Sequence, residues 1–536
     1  MSSLIPDTAP FSQEQRAWLN GFFAGMMGIQ SNTQQGETLA AMGFSSETVA
    51  MPSESPDEEE DFPWHDDSLP IVDRMSLAEG KPLERKLMAA MAQLDCGSCG
   101  YLCQTYSEAI ASGTEKNLSL CSPGGKETKQ MIKKLLKEGG DTETNSGAMN
   151  GAAMNGAAVA KEIPGSSRSA PYTAKLLASH CLNKEGSSKA VHHVEIDLSG
   201  SGIKYEVGDA LGVCPSNCSD LVSEILTRIE SDPNAHVTTP LGNTKTIALG
   251  LQEDCCLKDP SDELLEQLID RSTDEASKQA LVKLLEDGVP DGFDVLDTLS
   301  LASDVRLTAG ELMETLEPLN PRLYSIASSM KAVGEQVHLT VGKVTYEREG
   351  RVRKGVASTM LTDRLESGSS LRIFTHANHT GFTVPTDSSV PIIMVGPGTG
   401  IAPFVAFLQE RVATDSKGKN WLLFGDQHEA YDFLYEDQLQ GYIESGSLQR
   451  LDTAFSRDGD KKVYVQDRMR ENGAELFQWL TEGAHFYVCG DASRMAADVD
   501  RTLKQIVAEH GNMSEEQADQ YVAGLSKAKR YVRDVY

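Results

Sequence analysis

Short apolar runs alternate with helical segments in the last third of the chain, and this alternation constrains the fold more than any other feature. From position 390 onward, the runs PIIMVG, NWLLFG and HFYVCG are separated by stretches that have apolar residues at helical spacing. Parallel strands need crossover connections, and the crossover helices cover both faces of the sheet. The pattern therefore predicts a doubly wound α/β domain over residues 389–536, with its ligand at the carboxyl ends of the strands.

A glycine-rich turn, MVGPGTGIAPFVAFLQER, follows the first of these runs and opens an amphipathic helix. The glycines keep the turn free of side chains, so that the diphosphate of a dinucleotide can approach the backbone amides. Further on, AFSRDGDKKVYVQD offers a hydroxyl, two cations and a ring, which suit the 2′-phosphate and adenine of NADPH better than the 2′-hydroxyl of NADH. The alternative is a solvated charged loop. The candidate NADP ligands are Gly398, Thr399, Gly400, Ser456, Arg457, Lys462, Tyr464 and Gln466.

Alternating apolar and polar residues precede this domain. The segments YTAKLLASHCLN, AVHHVEIDLSG and EQVHLTVGKVTY are typical of half-buried antiparallel strands. Between them, from about 218 to 319, runs such as DLVSEILTRIE and QALVKLLEDG have helical periodicity. The sequence therefore predicts an antiparallel β-barrel over residues 168–388 with a helical insert at about 218–319.

Two motifs in the barrel region suit a flavin dinucleotide. In RLYSIASS, Arg322 can pair with a pyrophosphate, Tyr324 can pack on an isoalloxazine ring, and the Ser325 hydroxyl can lie near the flavin nitrogen that receives a hydride. In GVASTML, a tight turn opens a helix, so that backbone amides would meet the FAD pyrophosphate. That turn supplies Gly355, Val356, Ala357 and Ser358. The alternative for RLYSIASS is a barrel strand whose polar residues have no ligand.

The end of the chain adds three candidate residues. YVCGDASRMAADV places Cys489 at the carboxyl end of a strand, where open α/β sheets bind ligands, although a buried core cysteine is the ordinary interpretation. RYVRDVY closes the chain with Asp534 and Tyr536. A terminal tyrosine is ordinarily part of a frayed end.

Four cysteines near the front have the spacing of metal ligands. Cys96, Cys99, Cys103 and Cys121 form the pattern C-x2-C-x3-C-x17-C, which ends in Pro-Gly-Gly. Two thiolates two residues apart can chelate one centre, a third follows one turn on, and the fourth arrives from a loop, as in a 4Fe–4S site. Zinc held by four cysteines is the alternative. The motif also resembles the small cluster domains of bacterial electron-transfer subunits.

The segments around this cluster complete a multidomain α+β and α/β organisation. The sequence predicts an N-terminal helical segment over residues 1–50 and an acidic linker over residues 51–80. It also predicts a small helical 4Fe–4S domain over residues 81–138 and, over residues 139–167, a flexible linker rich in Gly, Ala and Asn.

Charge and hydropathy exclude some classes of function. The 536 residues carry a formal net charge of −30, which opposes the basic face that nucleic acid needs. No apolar run approaches the roughly 20 residues that cross a bilayer, and the start MSSLIPDTAP has no basic stretch followed by an apolar one. We therefore expect no nucleic-acid partner, no membrane segment and a cytoplasmic location.

In their order, the motifs RLYS, GVAS, GPGTGIAPF, SRDGDKKVYVQ, YVCGD and RDVY resemble the diflavin-type ferredoxin-NADP reductase family over residues 168–536. The resemblance is strongest to the flavoproteins of NADPH sulfite reductases and extends to the N-terminal segment. It implies that Tyr536 stacks on FAD and yields to nicotinamide, while Ser325, Cys489 and Asp534 assist hydride transfer. It also implies that the helical insert is the family's connecting domain.

The chain departs from that family at its front. A flavodoxin domain that binds FMN needs about 150 residues of alternating strands and helices, and residues 29–166 have no such alternation. No FMN is expected, because the cysteine cluster stands where the FMN domain would be. A 4Fe–4S cluster could replace FMN as the relay that passes single electrons.

The resemblance implies an NADPH-dependent oxidoreductase that passes electrons through FAD and the cluster to a siroheme sulfite reductase hemoprotein, which reduces sulfite to sulfide. One alternative keeps the reductase and changes the acceptor to a ferredoxin, an oxygenase or a nitrite-reducing hemoprotein. Another makes residues 81–138 a zinc-stabilised docking module. A homo-oligomer formed through the N-terminal segment is a further expectation.

Overall fold

A computed structural model describes residues 62–65, 69–93, 101–115, 118, 120–121, 123–139, 163–378, 380–492 and 494–536. The compact unit considered below begins at Pro63 and ends at Tyr536. The predicted N-terminal helical segment, nearly half of the predicted acidic linker, most of the predicted flexible linker, and the predicted ligands Cys96 and Cys99 lie outside the described residues. No helix in the described ranges is both long and apolar enough to cross a membrane.

Four helices lie among the described residues between positions 69 and 139. Helix α2 is preceded by Pro82, a residue suited to a helix start because it has no backbone N–H to leave unsatisfied. The core of this small region is built on Trp64, Leu87 and Tyr106, which are at most 1% exposed. The four helices are α1 (Ile71–Leu77), α2 (Leu83–Ala90), α3 (Cys103–Ala111) and α4 (Gly125–Gly139).

Ten strands follow, and six of them form one antiparallel sheet. They are β1 (Tyr172–Cys181), β2 (Val191–Asp197), β3 (Ala210–Cys214), β4 (His236–Thr238), β5 (Thr244–Thr246), β6 (Arg322–Ser325), β7 (Gln336–Gly342), β8 (Thr345–Arg348), β9 (Arg351–Lys354) and β10 (Ser370–His376). The large sheet has the order β6-β3-β10-β1-β2-β7. A bridge between Ile326 and Leu339 joins its two edges, so the sheet closes into the barrel that the sequence predicts.

The helical insert lies between β3 and β6. The side chains of Thr246, Ser261, Asp274, Asp294 and Thr308 cap five of its helices by accepting backbone N–H bonds. The sequence did not predict the small β4–β5 hairpin inside the insert. The six helices are α5 (Ser219–Arg228), α6 (Ile247–Glu253), α7 (Asp262–Arg271), α8 (Glu275–Asp287), α9 (Val295–Leu301) and α10 (Ala309–Thr315).

Two short helices belong to the barrel. They are α11 (Met330–Val333) and α12 (Val356–Thr359), and a π-helical turn (Met360–Arg364) continues α12. The separate β8–β9 hairpin, which the sequence did not predict, leads directly into α12.

Five parallel strands form the second large sheet. They are β11 (Ile392–Val395), β12 (Asn420–Asp426), β13 (Arg450–Phe455), β14 (His485–Gly490) and β15 (Tyr531–Val535). Their order is β13-β12-β11-β14-β15, and all pairs are parallel. The chain moves outward from β11 to β13 and then returns to β14 on the other side of β11. This reversal makes the carboxyl ends of β11 and β14 the switch point at which such sheets bind ligands.

Helices cover the parallel sheet, as the alternating sequence pattern predicts. A 3-10 turn (Gly398–Ile401) connects β11 to the first of them. The helices are α13 (Ala402–Ala413), α14 (Glu429–Asp432), α15 (Glu436–Glu444), α16 (Val465–Glu471), α17 (Gly473–Thr481), α18 (Met495–Gly511) and α19 (Glu515–Lys527).

Polar contacts fix the barrel against the parallel sheet. Asn183 Nδ2 and the Ser187 hydroxyl both donate to the buried carboxylate of Asp432, at 2.8 and 2.5 Å. His193 Nδ1 lies 2.9 Å from the Tyr435 hydroxyl, and its Nε2 lies 3.1 Å from His338 Nδ1. Burial lowers the pKa of both histidines to about 4, so both are neutral at physiological pH.

Candidate functional site

Three predicted catalytic residues meet where the barrel touches the parallel sheet. Ser325 ends β6, Cys489 lies near the end of β14, and Asp534 lies on β15 directly beside Cys489. The Ser325 hydroxyl donates to Asp534 Oδ2 at 2.6 Å, and Cys489 Sγ lies 3.8 Å from the same oxygen. One carboxyl group therefore connects a barrel strand to two strands of the other sheet.

Burial controls the ionisation of this cluster. It raises the pKa of Asp534, although the hydrogen bonds from Ser325 and Cys489 act in the opposite direction. Burial, and then the neighbouring Asp534 carboxylate, raise the pKa of the Cys489 thiol well above its usual value. Cys489 is therefore a neutral thiol donor and not a thiolate at physiological pH.

Tyr536 is held at the mouth of this cluster. Its backbone N–H donates to Gly490 O at 3.1 Å, and its hydroxyl lies 2.8 Å from Thr399 Oγ1. The residue is nevertheless 54% exposed. The terminus is thus ordered by the carboxyl end of β14 and the glycine turn, while much of the aromatic ring is open to a ligand.

The glycine turn borders a cleft of about 580 Å³. Gly398 has φ +57°, a conformation that side chains disfavour. A Cβ at Gly400 would lie 2.1 Å from Cys489 O, so only glycine lets the turn approach β14 this closely. The residues that line this cleft include Lys189, Gly398, Thr399, Asp491 and Tyr536.

The candidate 2′-phosphate residues lie along the same edge of the sheet, after β13. Ser456 N–H donates to Asp426 O at 2.9 Å, which fixes the start of the segment beside the end of β12. Arg457, Lys462 and Tyr464 are exposed, and no ion pair joins either cation to another described residue. Two such cations can bind an added anion without first breaking a salt bridge.

Gln466 lies slightly apart from these residues, in the first turn of α16. Its Nε2 lies 3.4 Å from Asp498 Oδ2, so the side chain already has a protein partner. A ligand amide or ring nitrogen would have to share or replace that contact.

The candidate flavin residues lie on β6, which pairs with β3 inside the barrel. Tyr324 is opposite Leu211, and Arg322 is opposite Val213. Burial raises the pKa of Tyr324 to about 12, which keeps the phenol neutral. Arg322, Tyr324 and Ser325 are all partly exposed, so each can contact a bound molecule.

The GVAS turn forms a short helix start, with Gly355 as the residue before α12. The Ser358 hydroxyl accepts a hydrogen bond from Val344 N–H at 3.2 Å, and the residue is only 7% exposed. Ser358 therefore stabilises the turn, while Gly355 and Val356 line an adjacent pocket of about 290 Å³.

This pocket, called here the hairpin pocket, lies between the β8–β9 hairpin and the helical insert. Apolar side chains are exposed at its rim: Val344 is 50% exposed, Tyr346 42% and Val352 58%. Three exposed apolar residues in one small area are suited to covering a planar ring.

Only two of the four predicted metal ligands lie within the described residues. Cys103 begins α3 and is 8% exposed, and Cys121 lies in the loop before α4. The Tyr106 hydroxyl accepts from Leu120 N–H at 3.3 Å, which ties the helix of Cys103 to the segment of Cys121. Among the described residues, no group of three or more His, Cys, Asp or Glu side chains could hold a metal ion.

The sequence did not single out Lys189 or Asp426, which meet at the cleft. Lys189 Nζ donates to both Asp426 carboxylate oxygens, at 2.7 and 2.8 Å. Asp426 ends an apolar strand, a position that could have drawn attention to it. Lys189 lies in the β1–β2 loop of the barrel, and no local pattern connects that loop to the other sheet.

Two family comparisons match this arrangement. The family described as "FAD binding domain" matches residues 164–360, and "Oxidoreductase NAD-binding domain" matches residues 394–501. These matches and the mixed α/β structure support a ferredoxin-NADP reductase-like fold with FAD- and NAD-binding domains.

Curated relatives agree with these matches. The chain is 43% identical over 374 residues to the sulfite reductase [NADPH] flavoprotein alpha-component of Bacillus subtilis. The aligned region covers 69% of this chain and 62% of that protein. It is 46% identical over 377 residues to the protein of the same description from Vibrio cholerae, covering 69% of this chain and 60% of the relative. The chain thus matches about three fifths of the length of these relatives.

Proposed function

We propose that this chain oxidises NADPH, transfers the electrons through FAD and a 4Fe–4S cluster, and delivers them singly to a sulfite reductase hemoprotein. The observation that carries the proposal is the cluster of Ser325, Cys489 and Asp534 between the barrel and the parallel sheet. It lies at the switch point of the sheet, where a nicotinamide bound to one domain could face a flavin bound to the other.

In this proposal, Arg322, Tyr324 and the Gly355–Ser358 turn hold FAD. Its flavin end would lie beside Ser325 and Tyr536, and its adenosine end would extend past Gly355 and Val356 into the hairpin pocket. The exposed apolar rim of that pocket fits the flat adenine ring. FAD, when bound, accepts a hydride and returns electrons one at a time, which is chemistry that no side chain here supplies.

NADPH would bind along the carboxyl edge of the parallel sheet. Gly398, Thr399 and Gly400 leave room for its diphosphate, while Arg457 and Lys462 bind its 2′-phosphate. The half-exposed ring of Tyr536 covers the place where nicotinamide must enter, so it must move aside before hydride transfer.

The three-residue cluster would position the reacting groups and move protons. The Ser325 hydroxyl and the neutral Cys489 thiol are donors whose orientation is fixed by the shared Asp534 carboxyl group. Because burial raises the pKa of Asp534, its charge state is sensitive to the charge of the bound cofactors.

The four thiols would hold the cluster, and they fit it by donor type and spacing. Thiolate sulfur is the ligand that iron–sulfur clusters require, and Cys103 is shielded from solvent, whose access is one of the factors that tune such centres. FMN is not part of the proposal. If zinc replaced iron here, residues 81–138 would be a docking module and electrons would leave from FAD.

Mixing the purified chain with a siroheme sulfite reductase hemoprotein tests the acceptor. We expect NADPH oxidation that depends on added sulfite and on both proteins, because the chain has no siroheme site of its own in the proposal. Ferredoxin and a nitrite-reducing hemoprotein serve as parallel acceptors. Turnover with one of these and none with the sulfite reductase hemoprotein would contradict the proposed acceptor.

A further inference from the structure

The β8–β9 hairpin stands apart from the barrel sheet. Its turn places Glu349 at φ +51° and Gly350 at φ +74°, as a two-residue hairpin turn requires. An isolated two-stranded hairpin is marginally stable in water, so its position must depend on contacts with the rest of the protein.

The helical insert supplies those contacts through two arginines and two aspartates. Arg351 donates to Asp294 and Asp297, at 2.6 Å each. Arg353 donates to Asp297 Oδ2 at 2.7 Å and to Gly292 O at 2.9 Å. The four charged residues therefore join both ends of one hairpin strand to one short stretch of the insert.

This ion cluster is largely shielded from water. The side chains of Arg353, Asp294 and Asp297 are 7%, 8% and 17% exposed. Burial alone would raise the pKa of Asp297, but the Asp294 backbone N–H and the Arg351 guanidinium outweigh it and hold that pKa below its usual value. Asp297 therefore stays ionised at neutral pH, and shielded pairs of this kind restrict geometry more than exposed ones.

The two aspartates are themselves rigidly held. Asp294 caps α9 by accepting from Asp297 N–H at 3.0 Å, and Asp297 accepts from Asp294 N–H at 2.9 Å. Each carboxylate thus belongs to the first turn of a helix and can transmit the position of that helix to the hairpin.

The hairpin and the insert together line the hairpin pocket. Tyr346 and Val352 come from the hairpin, and Leu221 and Gly292 come from the insert. A Cβ at Gly292 would lie 2.7 Å from the Tyr346 ring, so the ring packs directly on the insert backbone. Any shift of the hairpin would therefore change the width of the pocket.

We propose that Arg351 and Arg353, together with Asp294 and Asp297, are positioning residues that set the affinity for the adenosine half of FAD. The proposal rests on the proposed function, which places that half in the hairpin pocket. These residues act through the hairpin, and the proposal gives them no contact with the reacting atoms. The helical insert thereby controls retention of the cofactor.

Titration of the full-length apoprotein with FAD, followed by quenching of flavin fluorescence, tests this role. Asp297→Asn weakens the contacts of both arginines, and we expect the dissociation constant for FAD to rise about tenfold. FMN lacks the adenosine half, so its dissociation constant should be the same in the variant and the parent protein. The rate of flavin reduction by NADPH at saturating FAD should also be unchanged.

Glu230→Gln is the matched control, because it removes an exposed ion pair with Arg306 within the same insert, where the two charged atoms are 3.1 Å apart. It should leave FAD affinity unchanged. Arg351→Lys keeps the charge but loses the forked geometry, and should weaken FAD binding less than Asp297→Asn does. If Asp297→Asn fails to fold, the comparison of Arg351→Lys with the control decides the question.

Two results would overturn the positioning role. One is unchanged FAD affinity in the variants, and the other is an equal loss of affinity for FAD and FMN, which would indicate general loosening of the barrel. Both differ from failure of the proposed function, in which the parent protein itself would not bind FAD.

Discussion

The proposed hydride-transfer site and the proposed cluster site are built in opposite ways. Ser325 and Asp534 are hydrogen-bonded although 209 positions separate them, whereas the four cysteines lie between positions 96 and 121. The first site depends on two sheets and on the contacts that fix one against the other. The second depends on local spacing and on a few short helices.

The two sites should therefore respond differently to the loss of one side chain. In the proposed cluster site, the loss of one ligand should abolish the metal centre and leave the distant reductase intact. In the proposed hydride-transfer site, the loss of one side chain should slow one step while the two domains keep their fold. Independent measurements of hydride transfer and of single-electron delivery can therefore separate the two sites.

The largest effect is expected for Cys103→Ser. Iron content should fall, and electron delivery to a hemoprotein should drop by about 100-fold or more, since loss of supporting partners alone typically costs about 10- to 100-fold. Flavin reduction by NADPH in stopped flow should be unchanged. The exposed Cys181 provides the control Cys181→Ser. Equal loss of both steps in Cys103→Ser would show that the two sites are not independent.

Asp534→Asn should slow flavin reduction about 100-fold, the size of effect expected when a preorganised polar group is lost from an active site. The melting temperature should not fall. The pKa of Asp534 is raised in the folded protein, so the free energy of unfolding falls as pH rises above the pKa of this group in the unfolded chain. Asn cannot ionise and so removes this loss of stability. Cluster content should stay the same. A normal reduction rate would contradict the role of Asp534.

Arg457→Ala should weaken NADPH binding by about 1.5–3 kcal/mol, the usual value of a charge-assisted contact, with little change for NADH. The dissociation constants of both nucleotides can be measured on the oxidised protein. Arg271→Ala removes another exposed arginine, one that pairs with Glu311 in the helical insert, and serves as the control. Equal losses for both nucleotides would place the 2′-phosphate elsewhere.

The last prediction concerns the contact between the domains. His193 and His338 titrate near pH 4 in the folded protein, so the unfolded chain binds more protons between pH 4 and its own value of about 6.5. The free energy of unfolding should therefore fall with falling pH in this window, by at most about 1.4 kcal/mol per pH unit for each histidine. The nearby Glu195 carboxylate raises the pKa of His193 and so makes this decrease in stability smaller. A charge on His180 lowers the same pKa and so makes the decrease larger.

Denaturant unfolding at several pH values measures this slope. Replacing His193 and His338 with Gln should flatten it, whereas replacing the exposed His236 should not. An unchanged slope in the double variant would mean that these histidines do not link pH to stability.

Much of the fold could be predicted from the spacing of apolar residues along the sequence. The alternation of apolar runs and helices after position 390 predicts the parallel sheet, and the two-residue alternation before position 200 predicts the barrel. The β4–β5 and β8–β9 hairpins were missed because each is short, and the latter is held by charged contacts with the insert. Charge pairing between distant segments has no periodic signal.

The candidate functional site could likewise be predicted only where its residues belong to a local sequence pattern. Cys489 was identified because it ends an apolar strand, and Asp534 and Tyr536 from the terminal motif. Lys189 gave no signal, because its partner Asp426 lies 237 positions away and only the packing of the two domains joins them. The Ser358 hydroxyl also accepts from Val344 N–H, a contact that the residue type alone does not predict. Side-chain direction within a tight turn cannot be taken from residue type.

Anaerobic reduction of the purified chain by NADPH, followed by absorbance and electron paramagnetic resonance, tests the central claim most directly. We expect FAD and one 4Fe–4S cluster per chain, bleaching of the flavin, and the appearance of a reduced-cluster signal that is lost in Cys103→Ser. A chain that contains FMN or zinc and no iron, with no paramagnetic cluster signal after its flavin is reduced, would contradict it.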